Sequence, residues 1–153
     1  VNVKALWRIC ARIIPQMREL GRGSVVLFSS SAGLQASNAL SVYSVTKAAV
    51  AMMTRNLALN HAAENIRVNC VAPGLTATEG LEVYPPEAQK EFPLANPLKR
   101  PGTPMEIAEA CIYLSAPSGS FVTGEVLTVD GGGKLWGELW CAGRPDYYRL
   151  GTN

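Results

Sequence analysis

The sequence predicts an α/β fold whose strands form a parallel sheet, and three observations indicate it. Apolar, β-branched runs at 24–29 and 66–72 are typical of strands buried on both faces. Between them, residues 42–61 carry a broad apolar stripe without proline or glycine, which is typical of a helix. A strand, a helix and a strand in this order form a βαβ unit, which requires parallel pairing and a right-handed crossover.

The helices on either side of the first strand have amphipathic patterns. Residues 3–20 predict a helix that ends at Gly21 to Gly23. Its expected buried face consists of Leu6, Ile9, Ile13 and Ile14. In the 42–61 helix the expected apolar stripe consists of Ala48, Ala49, Met52, Met53 and Leu57. Both helices should pack one face against the sheet.

The rest of the chain continues with a loop, a helix and a strand. Five prolines between residues 75 and 102 indicate a long functional loop. A capping-box signature at 103–106 begins a helix, and residues 126–129 form a last short strand before an Asp-Gly-Gly-Gly run. The expected buried residues of this helix are Ile107, Cys111 and Leu114. We therefore predict a single α/β domain over residues 1–153.

Length, charge and cysteine content restrict the classes of function. The 153 residues suffice for one core, and 14 basic and 12 acidic residues are scattered along the chain, which argues against a nucleic-acid partner. No apolar run approaches the roughly 20 residues of a membrane span, so we expect a cytoplasmic protein with a small-molecule partner. Cys10, Cys70 and Cys111 lie in apolar runs, which favours reduced thiols over a disulfide or metal site; for Cys141 this stays open.

Tyr43 and Lys47 are the first candidates for chemistry. They lie four residues apart at the start of the 42–61 helix, so their side chains project from one face. A free phenol with a pKa of about 10 is a poor acid-base catalyst at neutral pH, and a nearby ammonium favours the phenolate. Taken alone, this spacing is more often that of a solvated helix face.

Ser30 adds a third polar group. It lies in a serine triplet at the carboxyl end of the first predicted strand, the end at which parallel sheets bind ligands. A hydroxyl there can hydrogen-bond a substrate carbonyl while the Tyr43 phenol donates a proton to the same oxygen. An ordinary polar turn would also account for the triplet, but it leaves the coincidence with Tyr43 unexplained.

Several groups of residues follow one another in a specific order. They are Val1-Asn2-Val3, Gly23-Ser24-Val25-Val26 leading to Ser30 and Gly33, Tyr43-Ser44-Val45-Thr46-Lys47, Ile66-Arg67-Val68-Asn69 with Pro73-Gly74, Thr123-Gly124 and Asp130-Gly131-Gly132. In this combination the sequence resembles the short-chain dehydrogenase/reductase family up to about Gly133. The resemblance implies a Rossmann-like doubly wound parallel sheet, of which this chain carries only the C-terminal half.

The resemblance implies roles for four residues. Tyr43 would be the general acid in reduction and the general base in oxidation, and Ser30 would position the substrate oxygen. Lys47 would favour the phenolate and bind the nicotinamide ribose of NAD or NADP, for which an ammonium has three donors. Asn2 would hold a water that connects Lys47 to solvent. No metal is implied.

The resemblance also assigns the segment after the second strand to the cofactor. Pro73, Gly74, Leu75 and Thr78 would form the nicotinamide-side loop, in which backbone groups near Leu75 and the Thr78 hydroxyl meet the carboxamide. A Pro-Gly pair is also an ordinary turn signal. Residues 78–100 would then be the substrate lid, whose apolar residues favour an apolar alcohol or ketone.

The family begins with a strand, a glycine-rich turn and a helix that cradle the dinucleotide pyrophosphate, and this sequence has no match to them. We therefore expect a fragment of a longer enzyme, with a tail at 134–153, and expect the fragment alone to be inactive. The full-length protein would be an NAD(P)-dependent oxidoreductase that interconverts an alcohol and a ketone or aldehyde, assembled as a homotetramer or dimer. A non-catalytic binding or assembly module and a related lyase or epimerase are the alternatives.

Overall fold

Three parallel strands form the sheet. In a computed structural model, which describes residues 2–36 and 40–135, β1 (Gly23–Phe28) pairs with β2 (Ile66–Pro73), and β2 pairs with β3 (Val126–Val129). Both pairings are parallel, and the order in the sheet is β1-β2-β3. The predicted α/β fold with a parallel sheet is therefore confirmed.

Within the described ranges, four α-helices connect and cover the strands. They are α1 (Lys4–Glu19), α2 (Ser41–His61), α3 (Pro86–Glu91) and α4 (Pro104–Ser115). α2 is the crossover from β1 to β2, and α1 and α2 pack on the same face of the sheet. α4 buries Ile107 and Leu114 against the opposite face. The layers are thus helix, sheet and helix.

The two longer strands differ in burial. β2 is buried along nearly its whole length, as a central parallel strand should be. In β1 only Val25 and Leu27 are buried, and Phe28 is 44% exposed. The prediction that β1 is buried on both faces is therefore wrong. Among the described residues β1 is an edge strand, and α4 covers its second face only in part.

The predicted helix faces are right in part. Ile14, Met53 and Leu57 are buried as predicted, whereas Ile9 and Met52 are more than half exposed. The positions that are buried instead are Cys10, Val50, Ala51, Thr54 and Ala58. Apolar residues occupy more than one side of both helices, so their periodicity does not determine which side contacts the sheet.

Two polar side chains of β2 hold the connection between α4 and β3. Asn69 is fully buried; its Nδ2 donates to the Val122 carbonyl (2.8 Å), and its Oδ1 accepts from the Glu125 N–H (3.0 Å). The Arg67 guanidinium donates to the carbonyls of Leu114 (2.6 Å), Ser115 and Val122. These bonds satisfy backbone groups that a buried loop would otherwise leave unpaired.

The described cysteines are free thiols. Cys10 and Cys70 are buried, Cys111 is partly buried, and desolvation raises the pKa of all three. This confirms the prediction of reduced thiols for these three residues. Cys141 and nearly all of the predicted tail lie outside the described residues. None of the described helices is long and apolar enough to cross a membrane.

The Asn69→Leu variant should lower the free energy of unfolding by about 1–3 kcal/mol, because it removes both hydrogen bonds of a buried side chain and takes the acceptor from the Glu125 N–H, while the Val122 carbonyl keeps only its bond from Arg67. Urea unfolding followed by circular dichroism measures this. Asn60→Leu, at an exposed position of α2, is the control and should change stability by less than about 0.5 kcal/mol. Equal effects of the two substitutions would contradict the structural role of Asn69.

Candidate active site

The carboxyl ends of the three strands meet at one edge of the sheet. The Ser29 N–H donates to the Val71 carbonyl (2.9 Å), and the Gly74 N–H donates to the Val129 carbonyl (2.9 Å). The chain segments that leave β1, β2 and β3 therefore begin side by side. This is the edge at which open parallel sheets bind ligands.

Lys47 is fixed to the end of β1 through both its backbone and its side chain. The Ser29 hydroxyl donates to the Lys47 carbonyl (2.7 Å), and the Lys47 ammonium donates to the Phe28 carbonyl (3.0 Å). The last residue of β1 and the residue that follows it thus fix the position of Lys47 on α2. The charged end of Lys47 is held directly beside the strand end that leads into Ser30.

A close approach of two backbones brings the Ser30 loop against α2. The Ser30 hydroxyl accepts from the Ala32 N–H (3.2 Å) and thereby caps a 3₁₀ turn at Ser31–Gly33. A Cβ on Gly33 would lie 2.7 Å from the backbone carbon of Lys47, so only glycine fits without a shift. Ser30 itself is partly buried.

Tyr43 lies one turn before Lys47 on α2, as predicted. The Lys47 ammonium lies 5.6 Å from the centroid of the Tyr43 ring, within the range of a cation–π contact. Tyr43 is 41% exposed, so its ring is accessible to a ligand. The structure therefore brings together the segments that carry Ser30, Tyr43 and Lys47.

Asn2 does not join this group directly. It is exposed, just before α1, and among the described residues no hydrogen bond links it to Lys47. Its role in holding a water stays a prediction.

The predicted nicotinamide-side loop follows β2 at the same edge. β2 ends at Pro73, and a Cβ on Gly74 would lie 2.7 Å from the Cβ of Asp130, so glycine is required there. The Thr76 hydroxyl donates to the Gly74 carbonyl (3.2 Å), and Thr78 is exposed at the start of the lid. The loop thus lies against the turn that follows β3.

The turn after β3 is closed by its own aspartate. The Asp130 carboxylate accepts from the backbone N–H groups of Gly132 (2.9 Å) and Lys134 (2.7 Å). Gly131 and Gly132 have positive φ angles of 63° and 84°, which the turn requires and which glycine tolerates. This local geometry explains why the aspartate is followed by glycines.

The lid carries short helical segments and exposed apolar side chains. α3 and a 3₁₀ turn at Phe92–Ala95 lie within it, and Tyr84 packs edge-on against Phe92 with ring centroids 5.7 Å apart. Val83 and Leu94 are 81% and 58% exposed. The lid therefore presents apolar surface that its own packing does not bury.

An ion pair at the end of the lid was missed by sequence reasoning. The Arg100 guanidinium makes a bidentate contact with the Glu106 carboxylate, at 2.6 and 2.9 Å. Glu106 also accepts from the Thr103 N–H (2.7 Å), which completes the predicted capping box. The hydrogen bonds from Arg100 and then from Thr103 lower the pKa of Glu106 to about 2. The capping box was visible in the sequence, but nothing in the pattern indicated Arg100.

Among residues 2–36 and 40–135, no group of three or more histidine, cysteine, aspartate or glutamate side chains could hold a metal ion. The polar groups at the strand ends are hydroxyls, an ammonium, backbone amides and the Asp130 carboxylate, which its own turn binds. Such groups are suited to hydrogen bonding and proton transfer.

Comparison with known proteins gives consistent results. A family model described as enoyl-(acyl carrier protein) reductase matches residues 1–134. The chain is 39% identical over 134 residues to dehydrogenase/reductase SDR family member 4 of Oryctolagus cuniculus, covering 86% of this chain and 52% of that protein. It is 34% identical to the 7α-hydroxysteroid dehydrogenase of Escherichia coli K12, covering 87% and 52%. The chain thus spans about half the length of the curated relatives it matches.

Solved structures share the fold. A 3-oxoacyl-[acyl-carrier protein] reductase from Brucella melitensis superposes with a TM-score of 0.83 at 35% identity, covering 88% of this chain and 50% of that one. A 7α-hydroxysteroid dehydrogenase in complex with NADH and 7-oxo glycochenodeoxycholic acid superposes with a TM-score of 0.82 at 34% identity, covering 87% and 52%. These matches confirm the expected Rossmann-like arrangement. Because the family model matches residues 1–134 of this chain, the chain belongs to the short-chain dehydrogenase/reductase family.

Proposed function

We propose that this chain supplies the proton-transfer residues of an oxidoreductase that interconverts an alcohol and a ketone or aldehyde with NAD or NADP. The observation that carries the proposal is the position of the Lys47 ammonium, 5.6 Å from the Tyr43 ring and 3.0 Å from the Phe28 carbonyl. The family membership and the relatives' printed activities support the same reaction class.

In this proposal Tyr43 moves the proton. Its hydroxyl donates to the substrate oxygen during reduction and accepts from the alcohol during oxidation. The Lys47 ammonium, held near the ring, stabilises the phenolate that remains after donation. Ser30, whose loop is packed on Lys47, donates a hydrogen bond that orients the substrate oxygen.

The donor groups fit a nicotinamide cofactor. One of the three Lys47 N–H bonds is used by the Phe28 carbonyl, which leaves two for the ribose hydroxyls. Backbone groups near Leu75, with the Thr78 hydroxyl, would bind the carboxamide. When bound, the cofactor supplies or accepts the hydride.

For the substrate we propose an apolar alcohol or ketone. Val83, Tyr84 and Leu94 expose apolar surface on the lid. In sequence, the lid contains two lysines and four glutamates, and its arginine, Arg100, is paired with Glu106. Such a balance is poorly suited to a phosphorylated substrate or an acidic carrier protein. The relative in complex with 7-oxo glycochenodeoxycholic acid supports this choice, whereas the relative named 3-oxoacyl-[acyl-carrier protein] reductase favours a carrier-bound substrate. The cytoplasmic location and the homotetramer stay predictions.

The Tyr43→Phe variant should lower kcat by a factor of about 10² to 10⁴ in the natural protein that contains this chain, because the ring stays but the transferable proton is lost. The change in NAD(P)H absorbance with an apolar ketone measures kcat. Binding of NADH, followed by fluorescence titration, should change little.

Tyr113→Phe is the matched control, since Tyr113 is 44% exposed but lies on α4. It should retain the full rate. Wild-type turnover by Tyr43→Phe would reject the proposed acid-base role. A wild-type protein that binds no nicotinamide cofactor would favour the non-catalytic alternative.

We further propose that the 153-residue polypeptide alone has no measurable turnover. The described residues contain no strand, glycine-rich turn and helix that could bind a pyrophosphate, and β1 has one unpaired edge there. The purified polypeptide should leave NADH and NADPH absorbance unchanged with an apolar ketone, and its circular dichroism shows whether it is folded. Turnover above the enzyme-free rate would contradict this proposal.

A further inference from the structure

The two ends of the lid are joined by a short backbone pairing. The Ala77 N–H donates to the Gly102 carbonyl (2.7 Å), and the Gly102 N–H donates to the Leu75 carbonyl (2.9 Å). Thr76 and Gly102 thus form a parallel bridge outside the main sheet. Any displacement of Gly102 must therefore move residues 75–77, which belong to the proposed nicotinamide-side loop.

Gly102 lies between two residues that the same carboxylate holds. The Glu106 carboxylate accepts from the Arg100 guanidinium at 2.6 and 2.9 Å, and from the Thr103 N–H at 2.7 Å. A Cβ on Gly102 would lie 3.7 Å from the Glu106 Oε2, so Glu106 also lies directly beside Gly102. The Arg100–Glu106 pair thus holds the residues on both sides of the bridge residue Gly102.

Arg100 is also fixed through its own backbone. The Asn96 side chain, which is 2% exposed, donates to the Arg100 carbonyl (2.8 Å). The Leu98 N–H donates to the Gly131 carbonyl (3.3 Å) in the turn after β3. The pair therefore joins the end of the lid to the start of α4, and the Leu98 N–H joins the same end of the lid to the turn after β3.

A cavity next to the Arg100–Glu106 pair indicates that side-chain packing would not compensate for loss of this ion pair. The cavity has a volume of about 110 Å³ and is lined by Leu75, Arg100, Gly102, Glu106 and Gly131, among others. Because this space is not filled by side chains, loss of the ion pair would leave the Thr76–Gly102 bridge with little support from neighbouring atoms.

We propose that Arg100 and Glu106 are positioning residues, which hold the nicotinamide-side loop in its binding conformation through the Thr76–Gly102 bridge. The positioning role rests on the proposed function, since it assumes that residues 73–78 bind the cofactor. Neither residue belongs to the Ser30–Tyr43–Lys47 group, so substitution of Arg100 or Glu106 should weaken cofactor binding and leave proton transfer intact. An ordinary surface ion pair would leave the loop unaffected.

The chain offers a matched control for this distinction. Arg18 and Glu64 form another ion pair, at 2.9 Å, which joins the end of α1 to the turn after α2. Both pairs are partly exposed, and Glu64 is not hydrogen-bonded to the loop or the lid. Arg18→Gln removes a comparable charge without touching the bridge.

The first test measures amide hydrogen exchange at Ala77 and Gly102 by NMR, in the natural protein that contains this chain. Glu106→Gln and Arg100→Gln should each speed exchange at both amides about tenfold or more, since hydrogen bonds to charged groups are worth about 1.5–3 kcal/mol. Arg100→Lys, which keeps the charge but loses the bidentate geometry, should give an intermediate effect. Arg18→Gln should leave both amides unchanged.

The second test measures cofactor binding and kinetics in the same variants. We expect the Kd for NADH and the KM for the cofactor to rise about tenfold in Glu106→Gln, with kcat changed by less than about threefold. Unchanged exchange at Ala77 and Gly102, or equal changes in Arg18→Gln, would overturn the support of the bridge by the pair. Faster exchange with an unchanged Kd would overturn the positioning role.

The two proposals fail in distinguishable ways. If the wild-type protein binds NADH but Tyr43 is dispensable, the proposed function fails and the positioning role stands. If Tyr43→Phe abolishes turnover while Glu106→Gln binds NADH normally, the function stands and the positioning role is rejected.

Discussion

Lys47 is attached through its backbone and its side chain to Ser29 and Phe28 at the carboxyl end of β1, and the rest of the candidate site depends on that attachment. Its carbonyl accepts from the Ser29 hydroxyl, and its ammonium donates to the Phe28 carbonyl. These two bonds join the strand to the helix that follows it across a loop, so the strand end and the Tyr43–Lys47 turn cannot shift independently. The close approach of Gly33 to the same turn adds a steric constraint to the polar one. Tyr43 and the neighbouring Lys47 ammonium thereby keep a fixed relation to the serine loop.

The strands of the sheet differ in how well they are buried and paired. β2 is buried and paired on both sides, and its Asn69 and Arg67 hold the connection that leads to β3. β1, which carries the anchors of Lys47, is an edge strand in the described part of the chain. Its unpaired side has backbone groups that another strand could satisfy, as strand edges commonly do. The strand end that anchors Lys47 is held in the sheet from its other side, by the pairing of β1 with β2.

The sequence predicts features that depend on residues close to one another in the chain, and it does not predict features that depend on distant residues. The strands, the crossover helix and the capping box depend on residues close in sequence, and these predictions were confirmed. The burial of Ile9 and Met52 was predicted wrongly, because the contact face of a helix with apolar residues on several sides is decided by its neighbours. Arg100 and Asn69 were not recognised as structural residues. Asn69 forms hydrogen bonds with backbone groups more than fifty residues away in sequence, and Arg100, which precedes α4, pairs with Glu106 in its first turn. Hydrophobic periodicity in the sequence therefore indicates neither residue.

The two halves of the proposed site also differ in whether their supporting contacts are close or distant in sequence. The proposed proton-transfer residues and their supports lie within one stretch of the chain from Phe28 to Lys47, and the sequence indicated them through their spacing combined with the family resemblance. The nicotinamide-side loop is held instead by the Thr76–Gly102 bridge and the Arg100–Glu106 pair, which join segments separated by the whole lid. Because the lid is inserted between the two partners of that bridge, its length and side chains can vary while the bridge persists. Under the proposed function, we therefore expect substitutions at residues 78–95 to change substrate preference while leaving the proposed proton-transfer residues in place.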